Sequence, residues 1–231
     1  MLSDSIKDFY SMEVADNQLA VLYVGASCVL VKTSDTIFLF DPATFLDESL
    51  DQLKKVDFLF YTHDHYDHFN LDSTLKIYNI ASCIVFAEPK VYVALKEYFP
   101  SRSLINAKPG LKGRVKGFRL NCIKGKHVGP ITLYHVSFEG RFSFFHGGDS
   151  GYVPLADFRD TTVAFLPTGY PSPTASPRDA YRMAIDLNPR FIVAFHGSKD
   201  EHKEFESLVK EGLPETKVYA PQPGEIIKIT F

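Results

Sequence analysis

The chain has 231 residues, with 25 basic and 28 acidic side chains, a net charge of -3 and 45% hydrophobic residues. This balance is that of a soluble globular protein with enough chain for one well-buried domain, spanning residues 1–231; it excludes a fibrous repeat or a disordered chain, and supplies no bulk positive charge to recruit nucleic acid. No apolar run reaches the roughly 20 residues of a membrane helix, and the start MLSDSIKDFY lacks the basic and apolar segments of a secretory signal, so a cytoplasmic protein with no membrane partner is predicted.

In chain order, LAVLYVG (19–25), SCVLVKT (27–33) and TIFLFDP (36–42) are short β-branched or aromatic runs separated by turn residues, the pattern of an antiparallel meander. ESLDQLKKV (48–56) has leucines at helical spacing, and DFLFYTH (57–63) returns to strand. LDSTLKIYNI (71–80) predicts a helix capped by Asp72 or Ser73, CIVFAEP a strand, and KVYVALKEYF (90–99) an amphipathic helix. GRVKGFRLNCI (113–123), ITLYHVSF (131–138) and RFSFFHG (141–147) are predicted strands, with Glu139-Gly140 turning the last pair. TTVAFLP (161–167) is another strand, and SPRDAYRMAIDL (176–187) a helix with Ser176 as cap and Pro177 at its first position. RFIVAFHG (190–197) is a strand and DEHKEFESLVKEG (200–212) the last helix. Two similar halves, each strands and then helices, predict an α/β (α+β) protein built as a four-layer αββα sandwich of two mixed sheets. Cys28, Cys83 and Cys122 are odd in number, widely spaced and set in strand-like runs, which predicts buried reduced thiols.

The chemistry concentrates in YTHDHYDHFN (61–70), which holds three of the eight histidines at the exit of a predicted strand. If His63 and His65 continue the extended geometry, their side chains point the same way and can grip one metal ion. If the chain then turns at Asp67 and His68, those side chains diverge from the first pair and can serve a second ion. Further ligands must come from downstream.

The ordered set His63, His65, Asp67, His68 resembles the H-x-H-x-D-H signature of the metallo-β-lactamase superfamily. Three later landmarks follow in that family's order: His127 in KGKHVG, Asp149 in FFHGGDSGY and His196 in VAFHGS. Gly25-Ala26-Ser27, the FDP at 40–42 and the GGDSG turn make the chain most similar to the branch that includes the ascorbate-phosphate lactonase and many metal-dependent hydrolases. The resemblance implies the metallo-β-lactamase fold and two divalent metal ions, zinc with manganese or iron as alternatives. It implies that His63, His65 and His127 bind the first ion, that Asp67, His68 and His196 bind the second, and that Asp149 bridges them. Asp41 is then placed to hydrogen-bond a ligand histidine.

His135, His146 and Cys122 are alternatives to His127, which is preferred because it lies in a glycine-flanked loop just before a strand, where a side chain can reach into a site. His146 and Lys199 are further supporting or substrate-binding candidates, with Arg178, Tyr66, Thr168 and Tyr170 nearby and unassigned. GDSG resembles the nucleophile loop of serine proteases, but no segment carries the matching base, so Ser150 is read as shaping the turn that presents Asp149. The resulting expectation is a hydrolase that uses a hydroxide bridging two metals on a small ester, lactone or phosphoester, with Asp67 also catalytic through proton transfer. A nuclease acting on nucleic acid and a non-catalytic metal-stabilised binding domain are the alternatives.

Overall fold

Two separate seven-stranded sheets form from the predicted strand runs. The computed structural model describes residues 2–231. Each sheet belongs to its own compact unit, the first made by the chain up to Ala107 together with Pro221–Thr230, the second by Lys108–Ala220 with Phe231.

In the first unit, helix α1 (Leu2–Ser11) precedes strands β1 (Gln18–Gly25), β2 (Cys28–Lys32) and β3 (Ile37–Phe40). Then come β4 (Phe58–Tyr61), α2 (Leu71–Ala81), β5 (Ile84–Ala87), α3 (Pro89–Leu95) and β6 (Leu104–Asn106). The second unit holds β7 (Lys112–Val115), β8 (Phe118–Lys124), β9 (Thr132–Phe138) and β10 (Phe142–His146). It continues with β11 (Val163–Pro167), α4 (Pro177–Leu187), β12 (Phe191–Phe195), α5 (Lys199–Gly212) and β13 (Lys217–Tyr219). The last strand, β14 (Ile226–Thr230), returns to the first sheet beside β1. No helix among the described residues is long and apolar enough to cross a membrane.

Both sheets are mixed. In the first, β14, β1, β2 and β3 pair antiparallel, and β3 to β6 run parallel. In the second, β7 to β10 pair antiparallel, and β10 to β13 run parallel. Leu22, Leu30, Leu39, Leu59 and Val85 alternate onto one face of the first sheet and pack with Ile6, Phe9, Ile77 and Val91 of its helices. Their neighbours Phe40, Phe60 and Phe86 stack on the other face, with ring centroids 4.8 Å and 4.7 Å apart across adjacent strands. Each such aromatic pair adds about 0.5–1.5 kcal/mol beyond burial. Phe40 directly precedes Asp41 and Phe60 lies two residues before Thr62, so the stacked rings support the loops that follow. In the second unit, Leu166, Ala194, Ala180, Met183, Phe205 and Val209 form the equivalent sheet-to-helix core.

Several local expectations change. ESLDQLKKV forms a short 3-10 helix (Asp47–Gln52) broken by the non-helical Ser49 (φ -133°) instead of an α-helix. The run 113–123 is a hairpin of β7 and β8, because Lys116 and Gly117 take positive φ and turn the chain. Asn70, two residues before the first of the expected caps, accepts from the Ser73 N–H and starts α2. Glu88 caps α3 through the N–H groups of Lys90 and Val91, and that helix stops at Leu95. Ser176 and Pro177 start α4 as expected.

The parallel strands explain where the polar loops of each sheet begin. Asp41 follows β3, His63 to His68 follow β4, Asp149 follows β10, Thr168 follows β11 and His196 follows β12. All leave from carboxyl ends of parallel strands, the end at which open α/β sheets place their ligands.

His135 lies elsewhere: it is a buried residue of β9 whose ring packs 4.8 Å from that of Phe158. Burial lowers its pKa from 6.5 to about 4. The unfolded chain therefore binds this proton at a higher pH than the folded one does, and stability contributed above pH 6.5 is lost as pH falls toward 4. His135→Phe should remove that loss, on the order of 3 kcal/mol. Urea unfolding at pH 7.5, 5.5 and 4.5 should show the variant gaining on the wild type as pH falls; a constant difference across the series would contradict this.

Candidate metal centre

In the first unit the buried Asp41 carboxylate organises the histidine loop. Its Oδ1 accepts the Thr62 backbone N–H at 2.7 Å. Its Oδ2 accepts the Thr62 hydroxyl at 2.6 Å, the Ser27 hydroxyl at 3.3 Å and His68 Nδ1 at 3.1 Å. A carboxylate only accepts, so His68 carries its proton on Nδ1 and its lone pair on Nε2. The Thr62 hydroxyl spends its proton on Asp41, so its oxygen accepts from His63 Nδ1 at 3.0 Å. His63 is therefore in the same tautomer. One carboxylate thus sets two imidazoles, one directly and one through a threonine, with Nε2 of each available as a metal ligand.

The geometry beyond β4 suits ligation. The His63 and His65 rings are 4.5 Å apart, and a ligand nitrogen of each lies within 4.8 Å of the other. The His68 and Phe69 N–H groups both bond the His65 carbonyl, which closes a turn. That turn brings the His68 ring to 3.9 Å from the His63 ring, where an extended strand followed by divergence was expected. Asp67 Oδ2 lies 3.7 Å from His68 Nε2, so these two also present ligand atoms side by side. Asp41 itself adopts φ +43°, a left-handed conformation costing about 1–3 kcal/mol, which the hydrogen bonds to its side chain offset.

In the second unit, Asp149 and His196 are buried and meet directly: Asp149 Oδ1 is 2.9 Å from His196 Nε2. Two ligands of one ion, each at about 2.0–2.2 Å, can adopt that spacing. His196 has φ +41°, and its carbonyl accepts both the backbone N–H and the hydroxyl of Thr168 at 2.7 Å. Asp149 sits in the GGDSG turn, where the Ser150 hydroxyl donates to the Gly151 carbonyl at 2.6 Å and accepts the Lys126 N–H at 2.8 Å. That engagement agrees with a turn-shaping Ser150 and joins the His127 loop to the Asp149 turn. The Thr174 hydroxyl donates to the Asp149 carbonyl at 2.9 Å, so its oxygen accepts from His127 Nδ1 at 2.9 Å and leaves the His127 lone pair on Nε2.

The remaining candidates divide clearly. His146 Nδ1 accepts the Gly148 N–H at 3.2 Å and its ring stacks on Phe195, which makes it a support for the turn before Asp149. Cys122 is buried on β8 with its thiol pKa pushed up to about 12 by burial, and all three cysteines are free and buried. Lys199 is an exposed first residue of α5, and Arg178 is exposed and faces Glu204 at 3.8 Å. Tyr66 and Tyr170 are 88% and 75% exposed. Thr62, Ser172 and Thr174 were not singled out in the sequence; a hydroxyl next to a ligand histidine, as in Thr62-His63, was the only local sign.

Ligand atoms able to serve a metal thus lie side by side in each unit, His63 with His65 and Asp67 with His68 in the first, and Asp149 with His196 in the second. Imidazole and carboxylate donors without thiolate fit a divalent transition ion, and His63, His68 and His127 hold the tautomer that ligation through Nε2 needs.

The comparisons with known proteins agree with this chemistry. Residues 29–197 match the family model described as a beta-lactamase superfamily domain. A UPF0173 metal-dependent hydrolase from Caldivirga maquilingensis is 28% identical over 195 residues, covering 78% of this chain and 84% of the relative. A UPF0173 protein from Pyrococcus furiosus is 28% identical over 198 residues, covering 84% and 90%. Among solved structures, Igni18, a metallo hydrolase from Ignicoccus hospitalis, superposes with a TM-score of 0.77 at 22% identity over 93% of this chain and 99% of its own, and so shares the fold. With that model covering most of its length, the chain belongs to the metallo-β-lactamase superfamily.

Proposed function

We propose that the chain is a metal-dependent hydrolase of small ester, lactone or phosphoester substrates, working in the cytoplasm, with residues 1–231 acting as one domain. The observation that carries this reading is the Asp41 network, which fixes His63 and His68 with Nε2 as the ligand atom before any ion binds. In this reading His63, His65 and His127 form one ligand group, and Asp67, His68, Asp149 and His196 form a second. Asp149 contributes the carboxylate suited to lie between two cations, because an anion there offsets their repulsion.

Divalent ions bound to these groups supply Lewis acidity and a lowered pKa for water, which together make hydrolysis at neutral pH accessible. The chain's own residues do the rest. Asp67, partly exposed beside His68, accepts a proton from the attacking water and returns one to the leaving group. The buried histidines and Asp149 hold their positions without rearrangement, which lowers the reorganisation needed during the reaction. Lys199 and Arg178, exposed at the starts of α5 and α4, are candidates to meet an anionic substrate.

Two measurements test this reading. Asp41→Ala should weaken metal retention by about 10–100-fold, because both histidines lose the group that orients them. Elemental analysis after dialysis against a weak chelator reads this directly, and full retention by the variant would contradict it. Asp67→Asn should lower turnover by about 10²–10⁴-fold in protein reloaded with metal. A panel of nitrophenyl esters, bis-nitrophenyl phosphate and simple lactones provides the assay; a metal-loaded wild type inactive on the whole panel would count against the proposal.

A further inference from the structure

The segment Thr168–Ser176, TGYPSPTAS, follows β11 and bonds to three loops of the second unit in turn. Thr168 donates twice to the His196 carbonyl, from its backbone N–H and its hydroxyl, both at 2.7 Å. The Ser172 hydroxyl donates to the Asp149 carbonyl at 2.7 Å, and the Thr174 hydroxyl donates to the same oxygen at 2.9 Å. The Thr174 oxygen then accepts from His127 Nδ1 at 2.9 Å. His127, Asp149 and His196 are the three residues of this unit that the proposed function takes as metal ligands, and one nine-residue loop touches each of them.

The loop lies close on its neighbours. A Cβ at Gly151, two residues past Asp149, would meet the Thr174 carbonyl oxygen at 2.6 Å. At Gly197 (φ +156°), next to His196, a Cβ would meet the Thr168 hydroxyl at 2.2 Å. The two glycines let the loop approach within hydrogen-bond range of the Asp149 and His196 carbonyls. On the far side, Glu201 accepts from the Tyr170 and Ser198 N–H groups, which anchors the loop to the start of α5.

We infer that Thr168–Ser176 is a positioning strap for the metal ligands of the second unit, and that Thr174 is its decisive residue because it sets the His127 tautomer while holding the Asp149 backbone. This rests on the metal reading above. The hydroxyl is the only part of Thr174 that both donates and accepts, so serine retains the function and valine, of the same shape, removes it.

The test compares wild type, Thr174→Val, Thr174→Ser and His127→Ala by zinc titration calorimetry, with circular dichroism to confirm folding. In metal-free protein, long-range ¹⁵N–¹H correlation of His127 reports the tautomer independently of metal and turnover. Valine should weaken zinc binding by about 10–100-fold and lose the Nδ1–H form, while serine restores both. Folded Thr174→Val with wild-type affinity and tautomer overturns the strap. Serine behaving like valine overturns it as well. If His127→Ala itself leaves zinc binding unchanged, the ligand assignment fails instead, and the strap loses its purpose with it.

Discussion

A single buried carboxylate carries much of the first unit's chemistry. Asp41 has no solvent to share its charge, so every lone pair it offers must be met by protein, and it is met by Thr62, Ser27 and His68. The same bonds that satisfy the carboxylate also decide which nitrogen of His63 and His68 is protonated. Stability and the ring tautomers are therefore coupled at this residue. Leaving the Thr62 N–H without its acceptor would cost about 1–3 kcal/mol and loosen His63, while His68 Nδ1 would keep the Ser27 hydroxyl at 2.8 Å.

The fold makes this arrangement attainable by bringing loops to the carboxyl ends of parallel strands. There the backbone departs from extended geometry, and two of the sharpest departures, at Asp41 and His196, are non-glycine residues with positive φ. Such positions persist only where surrounding bonds over-determine them. At Asp41 these are the side-chain network and the bond from its own N–H to the Phe60 carbonyl; at His196 they are the paired bonds from Thr168. The aromatic rungs of Phe40, Phe60 and Phe86 and the small-residue packing of Ala180, Ala184 and Ala194 supply the stiff supports beneath.

Much of this was legible in the sequence, for reasons that differ by element. Strands such as the TIFLF run (36–40) and the caps Ser176-Pro177 announce themselves through composition, and the histidine loop stands out because its spacing has no ordinary packing explanation. Helix α1 and strands β6, β13 and β14 have no counterpart among the predicted elements. Strands β6 and β13 have three residues each, and β14 gains its identity from pairing with β1, some 200 residues away in sequence. The hairpin at Lys116-Gly117 was masked by β-formers on both sides. Thr62, Ser172 and Thr174 were invisible for a different reason: a hydroxyl's role depends on which of its neighbours donates and which accepts, and only the folded chain brings those neighbours together. His135 shows the reverse, a histidine that attracted notice in the sequence and proves to be a core residue against Phe158.

The account stands on the claim that Nε2 of His63 and His68 are metal ligands held ready by Asp41. Diffraction data from zinc-loaded crystals, collected on both sides of the zinc absorption edge, test this most directly. The account predicts anomalous peaks about 2.0–2.1 Å from Nε2 of both histidines, with Nδ1 still bonded to Thr62 and Asp41. Peaks absent from these nitrogens, or bound through Nδ1, would contradict it.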